Sequence, residues 1–275
     1  MGGSSTRQAR LCSGGDSGNN GSVTAADEPV LTVTFAGSGD AFGSGGRYQA
    51  CIHLRGPDGI DPVLLDCGAT SLTALKRLGL APGDIAAVFI SHLHGDHFGG
   101  LPFLVLDGQF SRRTKPLTVI GPPGVSQRLT DAMECMFPGS STAARRFDVE
   151  TVELRPGETS TVAGVTVRAW EVDHPSGAPP FALRLDLAGR TIAYTGDTAW
   201  TDALLDVAAG ADLLIAEAYC RDKNIPYHLR LADLDAHRDQ LASGRIVVTH
   251  MSADLLNHRD QASFETAYDG LVIKL

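Results

Sequence analysis

The chain has 275 residues, 43% hydrophobic and 20% charged, which is ordinary for a globular protein with room for a sizeable core. A formal net charge of −9 argues against broad attraction to nucleic acid, and no apolar run approaches the roughly 20 residues that a membrane span needs. Five cysteines, at 12, 51, 67, 135 and 220, form no C-x-x-C, so free thiols in the reducing cytoplasm are expected.

Residues 1–28 are rich in Gly, Ser, Asn and Asp, with no apolar segment behind Arg7 and Arg10. A disordered tail is expected there, and one folded domain over 29–275. Leu31 to Ala36 alternates as a strand. Gly37 to Gly43 then turns the chain. Its G-x-G-x-x-x-G spacing and the strand that follows at Ala50 to Leu54 exclude a dinucleotide fingerprint, and it lacks the Lys-Ser/Thr ending of a P-loop. A turn beside an active site is compatible with it, with Arg47 as a candidate contact. Pro62 to Asp66 reads as a short buried strand ending in a carboxylate, Ser71 to Gly79 as a helix, and Ala86 to Ile90 as a buried strand.

That strand delivers His92, His94, Asp96 and His97, four potential metal ligands in six residues on a glycine-bearing turn. Imidazole and carboxylate suit zinc and its first-row neighbours. Further strands are expected at 117–120, 149–154, 165–172, 181–187, 191–194, 213–216 and 246–249, and helices near 98–107, 123–136, 201–209 and 231–243. Leu271 to Leu275 should close a sheet edge. Three more polar residues stand where strands run out: His174 after 165–172, Asp197 after 191–194 and His250 after 246–249. Two packed sheets with helices outside would bury such strands.

The ordered series His92-x-His94-x-Asp96-His97, His174, Asp197, His250 resembles the ligand set of the metallo-β-lactamase superfamily. Asp66 in Leu64-Leu65-Asp66-Cys67-Gly68 matches that superfamily's first motif. The resemblance spans roughly residues 30 to 275. It implies an α/β fold, a four-layer αββα sandwich of two mixed sheets flanked by helices. It also implies two divalent metal ions, Zn²⁺ first, with Mn²⁺ or Fe²⁺ as alternatives. By the same resemblance, His92, His94 and His174 would hold one ion, and Asp96, His97 and His250 the other. Asp197 would bridge them, and Asp66 would orient a ligand or water from behind. A bridging hydroxide would then serve as nucleophile.

Within the superfamily, Asp197 is not Cys, unlike the best-known zinc β-lactamases. H-x-H-x-D-H is not the H-x-E-x-D of flavodiiron proteins. The context of His174 lacks the H-T-P-G-H pattern of glyoxalase II and the quorum-sensing lactonases. The ribonuclease Z and phosphodiesterase branch is closer. Leu213 to Tyr219 resembles its strand ending in Glu-Ala-Thr, and Tyr227-His228-Leu229 resembles its histidine ahead of a late helix. Catalysis is accordingly expected of Asp96, His228 and Glu217, with His228 serving the scissile phosphate or the leaving oxygen and Glu217 supporting it. Only 22 residues separate His174 from Asp197, too few for the tRNA-gripping arm of ribonuclease Z.

The expected activity is therefore metal-dependent hydrolysis of a phosphodiester, such as a cyclic or small nucleotide diester, by a homodimer. Arg112-Arg113, Arg145-Arg146, Arg221 and Lys223 are candidate phosphate contacts. The alternatives are another ester class on the same scaffold (a sulfate ester, a lactone or a β-lactam) or a non-catalytic sensor that uses the fold.

Overall fold

The structure is a computed structural model that describes residues 1–2, 30–57 and 59–275. The tail expected over 1–28 lies, apart from Met1 and Gly2, outside the described residues. Two seven-stranded mixed sheets pack face to face. The first sheet takes β1 (Thr32–Gly37), β2 (Cys51–Arg55), β3 (Val63–Leu65), β4 (Ala87–Phe89), β5 (Leu117–Gly121) and β6 (Val149–Glu153). The second takes β7 (Thr159–Val162), β8 (Val165–Glu171), β9 (Phe181–Leu187), β10 (Arg190–Tyr194), β11 (Leu213–Glu217), β12 (Ile246–Thr249) and β13 (Glu265–Thr266). The last strand, β14 (Val272–Lys274), returns to the edge of the first sheet beside β1, as the C-terminal pattern predicts.

Three apolar layers explain the near-continuous hydrophobic strands. Val33, Phe35, Ile52, Leu54, Val63, Leu65 and Phe89 point between the sheets, toward Val167, Leu183, Ile192, Ile215 and Val247. The alternate residues Cys51, Leu64, Val88 and Val119 meet the helices over the first sheet, and Ala193, Leu214, Ala216 and Val248 those over the second. Strands buried on both faces carry no polar alternation, which is why they read as apolar runs. The helices are α1 (Ser71–Arg77), α2 (Gly95–Phe98), α3 (Leu101–Phe110), α4 (Val125–Met136), α5 (Ala203–Ala208), α6 (Leu231–Ala236) and α7 (Ala253–Leu256). No helix among the described residues is long and apolar enough to cross a membrane.

Some boundaries differ from the sequence expectation. The helix predicted over 98–107 is two helices, α2 and α3, joined at Gly99-Gly100. There the chain presses against the loop after β3, and a Cβ on Gly100 would lie 2.2 Å from the Gly68 carbonyl oxygen. The helix predicted to run to 243 stops at Ala236. The His237 Nδ1 takes the Asp233 carbonyl at 2.8 Å, and its ring stacks on Trp200 at 3.7 Å, which turns the chain out of the helix. Strand β7, Thr-Ser-Thr-Val, was hidden by its polarity: it is an edge strand with one neighbour. Cys51, Cys67, Cys135 and Cys220 are all free.

Strands β3 to β6 run parallel, as do β10 to β13. In open α/β sheets, ligands gather beyond the carboxyl ends of such strands.

Candidate metal centre

The candidate ligands, with Asp66 and Glu217, sit at or just past strand ends, whereas His228 stands in the loop ahead of α6. Asp66 ends β3, and the 92–97 cluster follows β4. Asp197 follows β10, Glu217 ends β11 and His250 follows β12. Because the two sheets face each other, these ends meet at one edge of the sandwich. Two of the residues carry left-handed backbones, Asp66 with φ 57° and His250 with φ 58°. A non-glycine residue held there costs of order 1 kcal/mol or more and persists where the surroundings fix it.

The potential ligand atoms form two neighbouring groups. One contains His92, His94 and His174, and the other Asp96, His97, Asp197 and His250; within each, the atoms lie within 4.8 Å of one another. The His174 Nε2 stands 3.0 Å from the His94 Nδ1, and the His97 Nε2 3.2 Å from the His250 Nε2. Asp197 lies between the groups. Its Oδ2 is 4.0 Å from the His92 Nε2 and 3.4 Å from the His250 Nε2, and its Oδ1 is 3.3 Å from the His97 Nε2.

Buried atoms here lack hydrogen-bond partners: His92 Nε2, Asp197 Oδ1 and His250 Nδ1. The Asp197 Oδ1 is near His97 but not in hydrogen-bonding geometry. Leaving such groups unpaired costs roughly 1–3 kcal/mol each. Nitrogen and oxygen atoms converging without thiolates suit Zn²⁺, Mn²⁺ or Fe²⁺. The residues present therefore fit divalent cations.

Electrostatics agree. Burial, aided by the neighbouring His97, holds His92 well below the ordinary histidine range, and burial likewise lowers His94 and His174. Neutral imidazoles keep the lone pairs that metals need. In the second group burial also pulls downward, but Asp197 and Asp96 outweigh it, holding His97 well above its usual value and His250 at about 9. Burial would raise Asp96 and Asp197, yet these histidines push both below the usual carboxylate range. Carboxylates that draw protons onto their histidines are carboxylates short of positive charge, which a bound cation supplies.

A second layer aims the ligands. The His97 Nδ1 donates to the Asp66 Oδ2 at 2.7 Å, which turns its Nε2 to the centre. The His174 Nδ1 donates to the Tyr227 carbonyl at 2.9 Å, with the same effect. Asp66, fully buried, also accepts from the Ser91 backbone N–H at 2.7 Å, the Ser91 hydroxyl at 2.8 Å and the Tyr194 hydroxyl at 2.8 Å. Sequence reasoning assigned no role to Ser91 or Tyr194; both stand at strand ends beside the motif, the one signal available. Asp66→Asn is expected to lower metal affinity about 10–100-fold, because a carboxamide cannot accept from all four donors. Titration of the variant against a metallochromic chelator measures this.

Glu217 lies behind His228. The Glu217 Oε2 accepts from the backbone N–H groups of Thr198 at 3.0 Å and Leu229 at 3.1 Å, and the Oε1 accepts from the His228 Nδ1. Burial lowers the His228 pKa, but the hydrogen bond and charge of Glu217 prevail and raise it. Burial, with the Asp197 charge, raises Glu217. Tyr219 stacks on His228 at 4.8 Å. A cavity of about 200 Å³ opens onto His94, Asp96, His174, Asp197, His228 and His250. A larger hollow of about 390 Å³ beside His53 and Arg55 gathers no ligand cluster among the described residues, so size does not mark the site.

Four of the candidate arginines are engaged elsewhere. Arg47 donates to the Ala267 carbonyl and the Ser38 hydroxyl. Arg113 donates to the carbonyls of Ile85 and Pro116, and Arg145 to those of Ser140 and Ser141. Arg221 pairs with Asp222 and Gln261.

Fold, site and relatives define a metallo-β-lactamase-superfamily protein of the ribonuclease Z-like kind, a metal-dependent hydrolase by class. A family model described as "Anti-Pycsar protein Apyc1" matches residues 31–268, and the chain belongs to that family. It is 25% identical over 276 residues to a ribonuclease Z of Methanosarcina acetivorans, covering 82% of this chain and 88% of that protein. It is 28% identical over 255 residues to a ribonuclease BN of Escherichia coli, covering 74% and 82%. Human tRNase Z, short form, superposes with a TM-score of 0.71 at 27% identity, covering 88% of this chain and 98% of that one. The metallo-β-lactamase-fold protein YhfI of Bacillus subtilis gives 0.72 at 20% identity, covering 90% and 100%, a likeness of fold.

Proposed function

We propose that residues 29–275 form one hydrolase domain that binds two divalent cations, Zn²⁺ foremost, and cleaves a small phosphodiester such as a cyclic or small nucleotide diester. His92, His94 and His174 would hold one cation, Asp96, His97 and His250 the other, and Asp197 both. When bound, such a pair acidifies a water to a pKa near ~7 and offsets charge on the phosphoryl oxygens. The protein's own part is positioning and proton delivery. Asp96 would act as ligand and help fix the attacking water. Glu217 holds the His228 ring by its Nδ1, which leaves Nε2 to protonate the departing ester oxygen.

The observation that carries this reading is the pairing of buried Glu217 with half-buried His228, which opens onto the ligand-lined cavity. A carboxyl or lactone ester with a good leaving group has less need of such an acid than an alkyl phosphodiester. Strands β9 and β10 are joined through Ala188 and Gly189 alone, which supports a small substrate over tRNA at this position. The free cysteines suit the cytoplasm, and a homodimer is proposed from the branch resemblance.

The test is metal analysis with a substrate panel. The purified protein should carry about two divalent ions per chain. It should cleave bis(p-nitrophenyl) phosphate and cyclic nucleotides ahead of p-nitrophenyl sulfate, a lactone or a chromogenic β-lactam, and a chelator should remove that activity reversibly. A fully loaded protein that turns over no phosphodiester would overturn the reading.

A further inference from the structure

One wall of the cavity plays no part in metal binding or proton delivery: besides the titratable groups, the lining includes Ala41, Phe42 and Tyr219. Phe42 is 85% exposed. A single exposed phenylalanine is common on protein surfaces, but this one differs in three ways. It lines the cavity that holds the ligand clusters. Its ring stacks on no other ring among the described residues, whereas Tyr219 already packs on His228.

Third, its backbone is fixed. The Asp40 carboxylate, itself 1% exposed, accepts from the Ser44 backbone N–H at 2.8 Å and the Ser44 hydroxyl at 2.7 Å. The Gln49 side chain donates to the Ala41 carbonyl at 3.0 Å, and Gly43, with φ 67°, closes the turn. This turn is bolted to the metal end of the second sheet: the His250 N–H donates to the Ser38 carbonyl at 3.2 Å, and Gly39 bridges to Met251. The backbone that carries the ring is thus preset relative to His250, so binding has only the two side-chain torsions of Phe42 left to order.

We propose that Phe42 is the stacking platform for the planar base of a nucleoside phosphodiester and sets the preference for such substrates over diesters without a base. The inference rests on the phosphodiesterase reading above and names its substrate class. A phenyl face offers no hydrogen-bond readout, so purine and pyrimidine bases are both accepted. Stacking of one base on one aromatic side chain corresponds to about a 10- to 100-fold effect on binding.

The test compares two esters with the same leaving group, thymidine 5′-(p-nitrophenyl phosphate) and methyl p-nitrophenyl phosphate, on the metal-loaded protein. The wild type is expected to favour the thymidine ester at least about tenfold in kcat/KM. Phe42→Ala should collapse that ratio through KM, and Phe42→Trp should keep it. In a parallel binding arm, calorimetry should show thymidine 5′-monophosphate binding more tightly than inorganic phosphate, with the difference lost in Phe42→Ala. An unchanged ratio, or an unchanged difference in affinity, would overturn the platform. If neither ester is hydrolysed, the phosphodiesterase reading fails, and the calorimetric comparison still decides the stacking.

Discussion

Asp197→Ala is expected to reduce metal content below two ions per chain and to lower kcat/KM at least about 10³-fold, since a lost cation removes several kcal/mol of charge stabilisation. Asp197 is 3% exposed and lies within 4.0 Å of ligand nitrogens in both groups. Other substitutions remove a ligand from one group; this one removes the carboxylate between them. It also leaves His97 and His250 without the neighbour that most strongly favours their charge. Metal analysis by mass spectrometry and steady-state kinetics on one preparation check the result. Two ions retained with full activity would exclude a bridging role.

His228→Ala is expected to lower kcat about 10²- to 10⁴-fold, the usual contribution of a general acid, while both metals stay. The loss should depend on the leaving group. An alkoxide from a nucleotide needs a proton to depart, whereas p-nitrophenolate needs little help. The variant should therefore lose far more activity on a cyclic nucleotide than on bis(p-nitrophenyl) phosphate, and Glu217→Gln should show the same trend more weakly. The metal content separates two roles. The His228 Nδ1 lies 4.0 Å from the Asp197 Oδ2, and Asp197, Glu217, His228 and His250 themselves form a ligand-like group. Loss of an ion in His228→Ala would make His228 a ligand.

Much of this was legible because burial writes itself into sequence. Strands covered on both faces, such as Val63–Leu65 and Ala87–Phe89, can hold nothing polar until they end, so Asp66 and the Ser91-His92 pair stand out as the first polar side chains beyond them. What lay hidden depends on register between distant segments. Nothing local in Tyr194 says that its hydroxyl will reach Asp66, 128 positions away. Strand β13 has two residues, too few for any period. The paired arginines could only be candidates, because charge alone does not reveal that the Arg113 guanidinium is consumed by backbone carbonyls. The turn 37–43, only compatible in sequence with a place beside the site, lines its cavity through Ala41 and Phe42, while Arg47 beyond it turns to Ser38 and the Ala267 carbonyl.

The contact between the His97 and His250 nitrogens joins positions 153 residues apart. Loops that long close late, after local helices and hairpins have formed. Neither sheet alone carries both candidate ligand groups: His92, His94, Asp96 and His97 follow a strand of the first, and His174, Asp197 and His250 follow strands of the second. The candidate centre is therefore complete only when the two halves dock. A chain whose halves have not docked would have no assembled centre.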